Sequence, residues 1–165
     1  MIRVRSYREQ DSISVGILIA EVYSKYILES IPEIEKPDYM GPFFNAYSVD
    51  SAVQQQVAMF IQDTFVFVAE DEDGKIVGVL RGRPGRLDGL FVHDWYFFQD
   101  IGRKLLEKFE KSCQDLGNKK IKAASPLYSV SFYLRMGYKK STGLRNGASF
   151  EGKDLTWQPM KKKFS

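Results

Sequence analysis

Cysteine and histidine, the residues that most often build metal sites and thiol active sites, each occur once in this chain of 165 residues. A zinc site or a thiol protease needs a cluster of such residues, so we expect neither here. Cys113 has helical spacing with Leu106, Phe109 and Leu116, which indicates a core position. His93 directly follows an apolar run and is a candidate either for a general base, because imidazole exchanges protons near neutral pH, or for the lining of a cleft. The remaining chemistry must come from hydroxyls, carboxylates and backbone groups.

A loop that contains a glycine, Phe97-Phe98-Gln99-Asp100-Ile101-Gly102, opens a segment of helical spacing that begins Arg103-Lys104-Leu105-Leu106. The free N–H groups and the partial positive charge at the start of a helix suit phosphate groups. Gly102 lets the backbone approach such a group closely, and Arg103 and Lys104 add positive charge.

The elements that must position this loop follow from the hydrophobic periodicity. The pattern predicts helices over residues 9–28, 49–63, 100–116 and 127–136. It predicts strands over residues 3–7, 64–69, 75–81, 86–93, 120–124, 138–142 and 155–160. The order β-α-α-β-β-β-α-β-α-β-β indicates one mixed α/β domain over residues 1–165, with an antiparallel meander at its centre.

Several polar residues and one glycine are expected to mark the ends of these elements. Asp11 or Ser12 is predicted to cap the first helix and Asp50 the second. Gly117 is predicted to end the long third helix. The acidic run Glu70–Gly74 ends in Asp-Gly between two apolar stretches, which predicts a hairpin turn.

Composition excludes several classes of protein. The net charge is +3 and 44% of the residues are hydrophobic, so a buried core is expected and a broad nucleic-acid-binding face is not. We interpret the densest basic run, Lys161–Lys163, as a solvated tail. No apolar run reaches the roughly 18 residues that cross a membrane, and the start of the chain alternates apolar and charged residues, unlike a signal peptide. The single cysteine favours the cytoplasm.

The second half of the chain resembles the GNAT superfamily of N-acetyltransferases. In that family a Leu-x-Val-like strand end leads into an (Arg/Gln)-x-x-Gly-x-(Gly/Ala) loop that opens a helix. A Phe-Tyr-x-x-x-Gly-(Phe/Tyr) helix follows about 30 residues later. Here these motifs correspond to Leu90–Val92, Phe97–Gly102 and Phe132–Tyr138. The resemblance covers roughly residues 65–162 and implies a central, mostly antiparallel, twisted sheet flanked by helices, with the cofactor held in a splay between the fourth and fifth strands.

The resemblance also implies roles for individual residues. Tyr133 would act as the general acid that protonates the leaving CoA thiolate. Asp88 is a candidate general base, since relatives often carry a carboxylate on the fourth strand, and the alternative is a surface carboxylate paired with an Arg. By strict alternation along the strand, Asp88 would share a face with Arg86, Leu90 and Val92. Acetyl-CoA would be the co-substrate, no metal is implied, and the expected CoA-binding residues are Phe91, Val92, His93, Phe98, Gln99, Asp100, Ile101, Gly102, Arg103 and Lys104.

Two positions of the loop depart from the family pattern. Phe97 stands where Arg or Gln is usual, and Asp100 stands where Gly is usual. A carboxylate about 4 Å from a phosphate costs roughly 1 kcal/mol even in water, so Asp100 should weaken CoA binding unless its side chain turns away. As a natural N-cap, Asp100 could also occupy the N–H groups that a phosphate would use. Pro126 stands where many relatives have an Asn that contacts CoA.

The leading hypothesis is therefore an acetyl-CoA-dependent N-acetyltransferase that acts on a primary amine by direct attack. The alternative is a non-catalytic GNAT-like module whose altered loop lets the cleft bind another ligand or a protein partner. The aromatic segment Tyr39–Tyr47 is predicted either to help form the acceptor pocket or to pack over the sheet or in a homodimer contact. The acceptor itself stays open.

Overall fold

A mixed α/β architecture is formed by an eight-stranded sheet with helices against both faces, in the part of the chain that the structure describes. This computed structural model describes residues 1–97 and 99–165. The strands are β1 (Arg3–Ser6), β2 (Phe65–Glu70), β3 (Ile76–Arg83), β4 (Arg86–Val92), β5 (Lys120–Pro126), β6 (Lys139–Lys140), β7 (Arg145–Ala148) and β8 (Asp154–Lys163). The helices are α1 (Ser12–Val22), α2 (Pro37–Met40), α3 (Ser51–Ile61), α4 (Ile101–Asp115) and α5 (Val130–Arg135).

The strands lie in the order β1-β2-β3-β4-β5-β8-β6, and β7 pairs with β8. The pairing of β4 with β5 is parallel, and the other pairings are antiparallel. The predicted mostly antiparallel sheet and its central meander, β2-β3-β4, are confirmed. None of the helices in the described residues has the length and apolar composition that spanning a membrane requires.

Each face of the sheet carries its own hydrophobic core, because successive side chains of a strand point to opposite faces. Val79 of β3 belongs to the core beneath α1 and α3, while the next residue, Leu80, belongs to the core beneath α4 and α5. Phe109 and Cys113 of α4 are fully buried in the second core, so the predicted core position of Cys113 is confirmed.

Local signals at the element ends are mostly confirmed. The carboxylate of Asp50 accepts a hydrogen bond from the Ala52 N–H at 2.8 Å, as an N-cap does. Gly117 adopts φ 86° after α4, and this left-handed residue lets the Asn118 N–H reach the Cys113 carbonyl at 3.0 Å.

The expected cap of α1 differs. Asp11 stands at the N-cap position, but its side chain makes no capping bond to α1. Its two carboxylate oxygens accept hydrogen bonds from the Arg5 guanidinium at 2.8 and 2.9 Å, and one also accepts the Arg8 N–H. The Asp11 carboxylate therefore bonds to a charged partner across the turn and not to the first N–H groups of α1.

Two segments differ from the structure that was predicted for them. After α1 the chain continues through a π-helical turn, Tyr23–Ile27, in which the Leu28 N–H bonds to the Tyr23 carbonyl. The run Lys161–Lys163 is not a solvated tail, because it forms the end of β8. Lys162 donates to Glu110 at 3.1 Å and to the Met136 carbonyl at 2.9 Å, so tertiary partners hold the basic run in the sheet.

Candidate active site

A cleft opens in the middle of the sheet where β4 and β5 separate. The two strands pair at Arg86 with Lys122 and at Leu87 with Ala123, although β4 continues to Val92 and β5 to Pro126. Beyond Leu87 the β4 edge that faces β5 has no ladder partner among the described residues. A cavity of about 290 Å³ lies there. An unpaired strand edge can bond an extended amide-bearing chain as if that chain were another strand.

A β-bulge in β4 lies at the cleft and places Asp88. Leu87 pairs with Gly82 and Gly89 pairs with Arg81, so Asp88 is an extra residue with no partner on β3. Such an insertion locally breaks the alternation of side chains. The expected common face of Asp88, Leu90 and Val92 is therefore wrong: Leu87, Leu90 and Val92 pack with the α4 core.

The Asp88 carboxylate is held by Arg83, whose Nε and Nη2 donate to it at 3.1 and 3.2 Å. Asp63, which follows α3, lies beside this pair. Burial raises the pKa of Asp63, and the neighbouring Asp88 carboxylate raises it further. Asp88 borders the cleft, and its role as a base stays a prediction.

Tyr133 borders the same cleft from α5, on the β5 side. Its side chain is 4% exposed, and the rings of Phe132 and Tyr138 pack against it edge-on at centroid distances of 5.2 and 5.6 Å. Burial raises the pKa of Tyr133 well above its usual range. The hydroxyl is therefore protonated at neutral pH and can donate a proton.

The spacing of the Phe132–Tyr138 motif has a structural reason. Gly137 adopts φ 90°, which turns the chain so that the Tyr138 N–H bonds to the Tyr133 carbonyl at 3.0 Å and the Gly137 N–H to the Leu134 carbonyl at 3.1 Å. This closure ends α5 and fixes Tyr133 one turn before it. The motif therefore ends the helix and also positions the tyrosine.

The start of α4 differs from the expected N-cap arrangement. Asp100 adopts the left-handed conformation, with φ 61°, and makes no side-chain capping bond. Its carboxylate bonds instead to Arg103 at 3.2 Å, so it leaves the first N–H groups of α4 uncapped by its own side chain. Asp100 thus keeps the backbone conformation that favours a glycine at this position of the family motif, with the charge turned toward an arginine.

The other predicted CoA-contacting residues divide by position. Ile101 is 1% exposed, so its side chain belongs to the core and leaves its backbone for binding. A Cβ at Gly102 would lie 3.1 Å from the Phe132 ring, so this glycine lets α4 and α5 approach closely. Lys104 has no ion-pair partner in the described residues, whereas Arg103 also bonds Glu107 at 3.0 Å.

The loop between β4 and α4 is anchored by polar contacts. The His93 Nδ1 accepts the Trp95 N–H at 3.2 Å and so caps a short 3₁₀ turn. The Gln99 N–H bonds to the Tyr96 carbonyl at 3.3 Å, and the side chain of Gln99 is exposed. Phe98 was also expected to contact CoA, and it lies outside the described residues.

Aromatic rings from distant parts of the chain meet beside the π-helical turn. Tyr26, in the π-helical turn, lies 5.3 Å from the Phe97 ring and stacks on Tyr128 at 5.2 Å. Phe97, which stands at the Arg/Gln position of the family motif, thus packs against another aromatic ring. Tyr26 and Tyr128 were not singled out in the sequence, because no short motif links residues 102 positions apart.

Further aromatic residues line the cleft on the face of α1 and α3. They are Tyr23, Phe91, Phe150 and Trp157. The segment Tyr39–Tyr47, expected near the acceptor, divides between two environments. Phe43 is 1% exposed, packs on Phe150 in the core and also reaches a separate cavity of about 590 Å³, whose wall is continued by the more exposed Phe44 and Tyr47. We assign the chemistry to the smaller cleft, because it alone of the two contains Tyr133, Asp88 and the open edge of β4.

Comparison with known proteins identifies this arrangement. Residues 34–164 match the family model described as an acetyltransferase (GNAT) domain. No curated protein matches the sequence.

Solved structures share the fold at low sequence identity. A GCN5-related N-acetyltransferase from Rhodopseudomonas palustris is 17% identical, with a TM-score of 0.71 and coverage of 98% of this chain and 95% of that one. The PaiA N-acetyltransferase from Thermoplasma acidophilum, solved in complex with coenzyme A, is 19% identical, with a TM-score of 0.70 and coverage of 99% of both chains. YncA from Salmonella typhimurium, described as a putative acetyltransferase with its cofactor acetyl-CoA, is 16% identical, with a TM-score of 0.62. The match covers 100% of this chain and 95% of that one.

The match of the family model to most of the chain, together with the splayed strands and the motif helices that frame the cleft, leads to one conclusion: the protein belongs to the GNAT acetyltransferase family.

Proposed function

We propose that this protein transfers an acetyl group from acetyl-CoA to a primary amine, by direct attack of the amine on the thioester. The observation that carries the proposal is the position of Tyr133, a buried and protonated tyrosine that borders the cleft between β4 and β5. A proton donor at that place suits a reaction in which a thiolate leaves.

Binding of the co-substrate is supported by two features of the chain. The open edge of β4, through Phe91 and Val92, can bond the amide groups of a pantetheine arm. The start of α4 offers backbone N–H groups to the pyrophosphate, with Lys104 nearby as an unpaired cation in the described residues. Two structural neighbours were solved with coenzyme A or acetyl-CoA, which supports the same ligand here.

The residues divide the proton transfers between them. Asp88, or a water beside it, takes the proton that the amine loses as its nitrogen bonds to the carbonyl carbon. Backbone N–H groups near Val92 polarise the carbonyl oxygen. As the carbon–sulfur bond breaks, Tyr133 gives its proton to the sulfur and recovers one from water. The ion pair with Arg83 orients the Asp88 carboxylate.

The acceptor side of the cleft is lined by aromatic rings and, on β4, by the oppositely charged side chains of Arg86 and Asp88. This composition suits an amine attached to an apolar body, because a carboxylate binds the ammonium and the rings cover the apolar part. A cytoplasmic location is part of the proposal and rests on Cys113, which is a buried free thiol.

Calorimetric titration with acetyl-CoA tests the first half of the proposal, and a screen of amine acceptors that reads released thiol tests the second. We expect saturable binding and acceptor-dependent thiol release. An absence of binding at millimolar acetyl-CoA would refute the enzyme proposal and favour the non-catalytic alternative.

A further inference from the structure

A separate cavity of about 590 Å³ lies, among the described residues, on the other side of the π-helical turn from the acyl-transfer cleft. Tyr23 and Ile27 of that turn border the cleft, while Ser24, Lys25 and Tyr26 border the cavity. The two spaces share no lining residue. The cavity is large enough for a small organic molecule, and the proposed acyl transfer does not use it.

Most of the charges in its wall are neutralised by each other. Asp94 is paired with Lys25 and also accepts a hydrogen bond from Tyr26. Glu33 is paired with Lys36 at 2.7 Å. These pairs leave no full charge to attract a ligand.

Glu21 is the exception. Its carboxylate accepts a hydrogen bond from the Tyr47 hydroxyl, and His93 Nε2 lies 3.9 Å away. Nδ1 of that imidazole accepts the Trp95 N–H and lies 3.4 Å from an Asp94 carboxylate oxygen, which leaves Nε2 on the side of Glu21. No lysine or arginine of the described residues pairs with Glu21, and its side chain is 45% exposed. The carboxylate therefore keeps a net negative charge that a ligand can reach.

Lys75 also borders the cavity and is exposed, where the β2–β3 turn enters β3. Its ammonium group repels other cations. We therefore expect a bound cation to lie on the Glu21 side of the cavity.

Exposed aromatic rings surround the same space. Trp95 is 82% exposed, Tyr47 is 65% exposed and Phe44 is 52% exposed, and all three line the cavity. Large aromatic side chains usually contribute to a core, so a group of them around one opening marks a binding surface. The faces of such rings attract cations.

We propose that this cavity is a second binding site, separate from the acyl-transfer cleft, for a small organic ammonium ion. Glu21 bonds the ammonium group, and Trp95, Tyr47 and Phe44 enclose its substituents. A carboxylate surrounded by aromatic rings favours a cation with an apolar body over an anion or a neutral molecule of the same shape.

The two tryptophans of the chain provide a direct test, because Trp95 lines the cavity and Trp157 lines the cleft. The variants Trp157→Phe and Trp95→Phe each keep one fluorophore. Benzylamine, added without acetyl-CoA, is expected to change the fluorescence of the first variant saturably, whether or not that of the second also responds to an amine in the cleft. A response of Trp157 alone would place the amine in the cleft and overturn the proposal.

Charge recognition is tested by calorimetry with the same probe. We expect Glu21→Gln to weaken benzylamine binding about tenfold or more, and benzyl alcohol to bind the unchanged protein about tenfold more weakly than benzylamine. Glu29→Gln, an exposed carboxylate outside the cavity wall, is the matched control and should bind normally. Equal binding of the alcohol, or unchanged binding in Glu21→Gln, contradicts the proposal. Neither measurement depends on acyl transfer, so failure of the proposed function and failure of this site are distinguishable.

Discussion

Replacing Tyr133 by phenylalanine tests the chemistry of the cleft with little change to its shape. The ring is 4% exposed and packs edge-on against Phe132 and Tyr138, and phenylalanine preserves both contacts. The hydroxyl donates no hydrogen bond to a described residue. We therefore expect the free energy of unfolding to change by less than about 1 kcal/mol.

Turnover should respond much more strongly. A positioned general acid contributes about 10²- to 10⁴-fold to a rate, which corresponds to about 3–5 kcal/mol of transition-state stabilisation. Thiol release by Tyr133→Phe should fall by about 100-fold or more in kcat. The dissociation constant for acetyl-CoA should stay within about threefold, because the hydroxyl acts on the leaving sulfur and not in ground-state binding.

Tyr138→Phe is the matched control, since it removes a hydroxyl five residues along the chain and outside the cleft. Tyr138 is 2% exposed and donates to Glu110 at 2.8 Å. Loss of a hydrogen bond to a charged group should cost about 1.5–3 kcal/mol of stability and lower Tm by several degrees, with kcat nearly unchanged. Turnover of Tyr133→Phe within about twofold of the unchanged protein would remove this hydroxyl from the mechanism.

Three further predictions concern carboxylates. Asp100→Gly removes a negative charge beside the start of α4 and a non-glycine residue at φ 61°, so acetyl-CoA should bind about fivefold more tightly in calorimetry at low salt, with a smaller gain at high salt. Asp11→Ala leaves the half-buried Arg5 guanidinium without its bidentate partner and with Glu70 as its remaining carboxylate, and should cost about 1.5–3 kcal/mol in urea unfolding. Asp63→Asn should raise Tm at pH 7, because burial raises the pKa of Asp63 in the folded state and its charged form is therefore unfavourable there.

The pH dependence separates the last two variants. Arg5 holds the pKa of Asp11 below its usual range. The contribution of Asp11 to stability is therefore present above the unfolded pKa of about 3.9 and is lost as the pH falls through the folded pKa. The pKa of Asp63 is raised in the folded state, so the effect on stability runs the other way. Its contribution to stability is present below the unfolded pKa of about 3.9 and is lost as the pH rises through the folded pKa. The gain in Tm of Asp63→Asn should therefore shrink toward pH 4, and a gain that does not change with pH would contradict this reasoning.

If Asp100→Gly binds acetyl-CoA at low salt as the unchanged protein does, a charge effect of Asp100 is ruled out.

Much of the fold could be predicted because its signals are local. Periodicity located the central meander and the long helix α4, and Asp50 and Gly117 marked helix ends through bonds to residues within a few positions. The first helix was predicted too long, since the apolar spacing continues through a π-helical turn that periodicity alone does not distinguish. The strand β7 was missed because Arg145–Ala148 carries little apolar pattern and pairs only through its neighbour β8.

The sequence by itself determined the order of the elements and the motifs at Phe97–Gly102 and Phe132–Tyr138, because each motif is a short run whose residue types and spacing are local. Only the tertiary structure decided where their side chains act. The bulge that moves Asp88 off its expected face depends on pairing with β3. The turn of Asp100 toward Arg103 depends on a left-handed backbone that the sequence suggested for glycine alone. The stack of Tyr26 on Tyr128, like the cavity beside Glu21, joins residues far apart in the chain. Local patterns carry no information on such contacts, because these depend on how the sheet brings distant segments together.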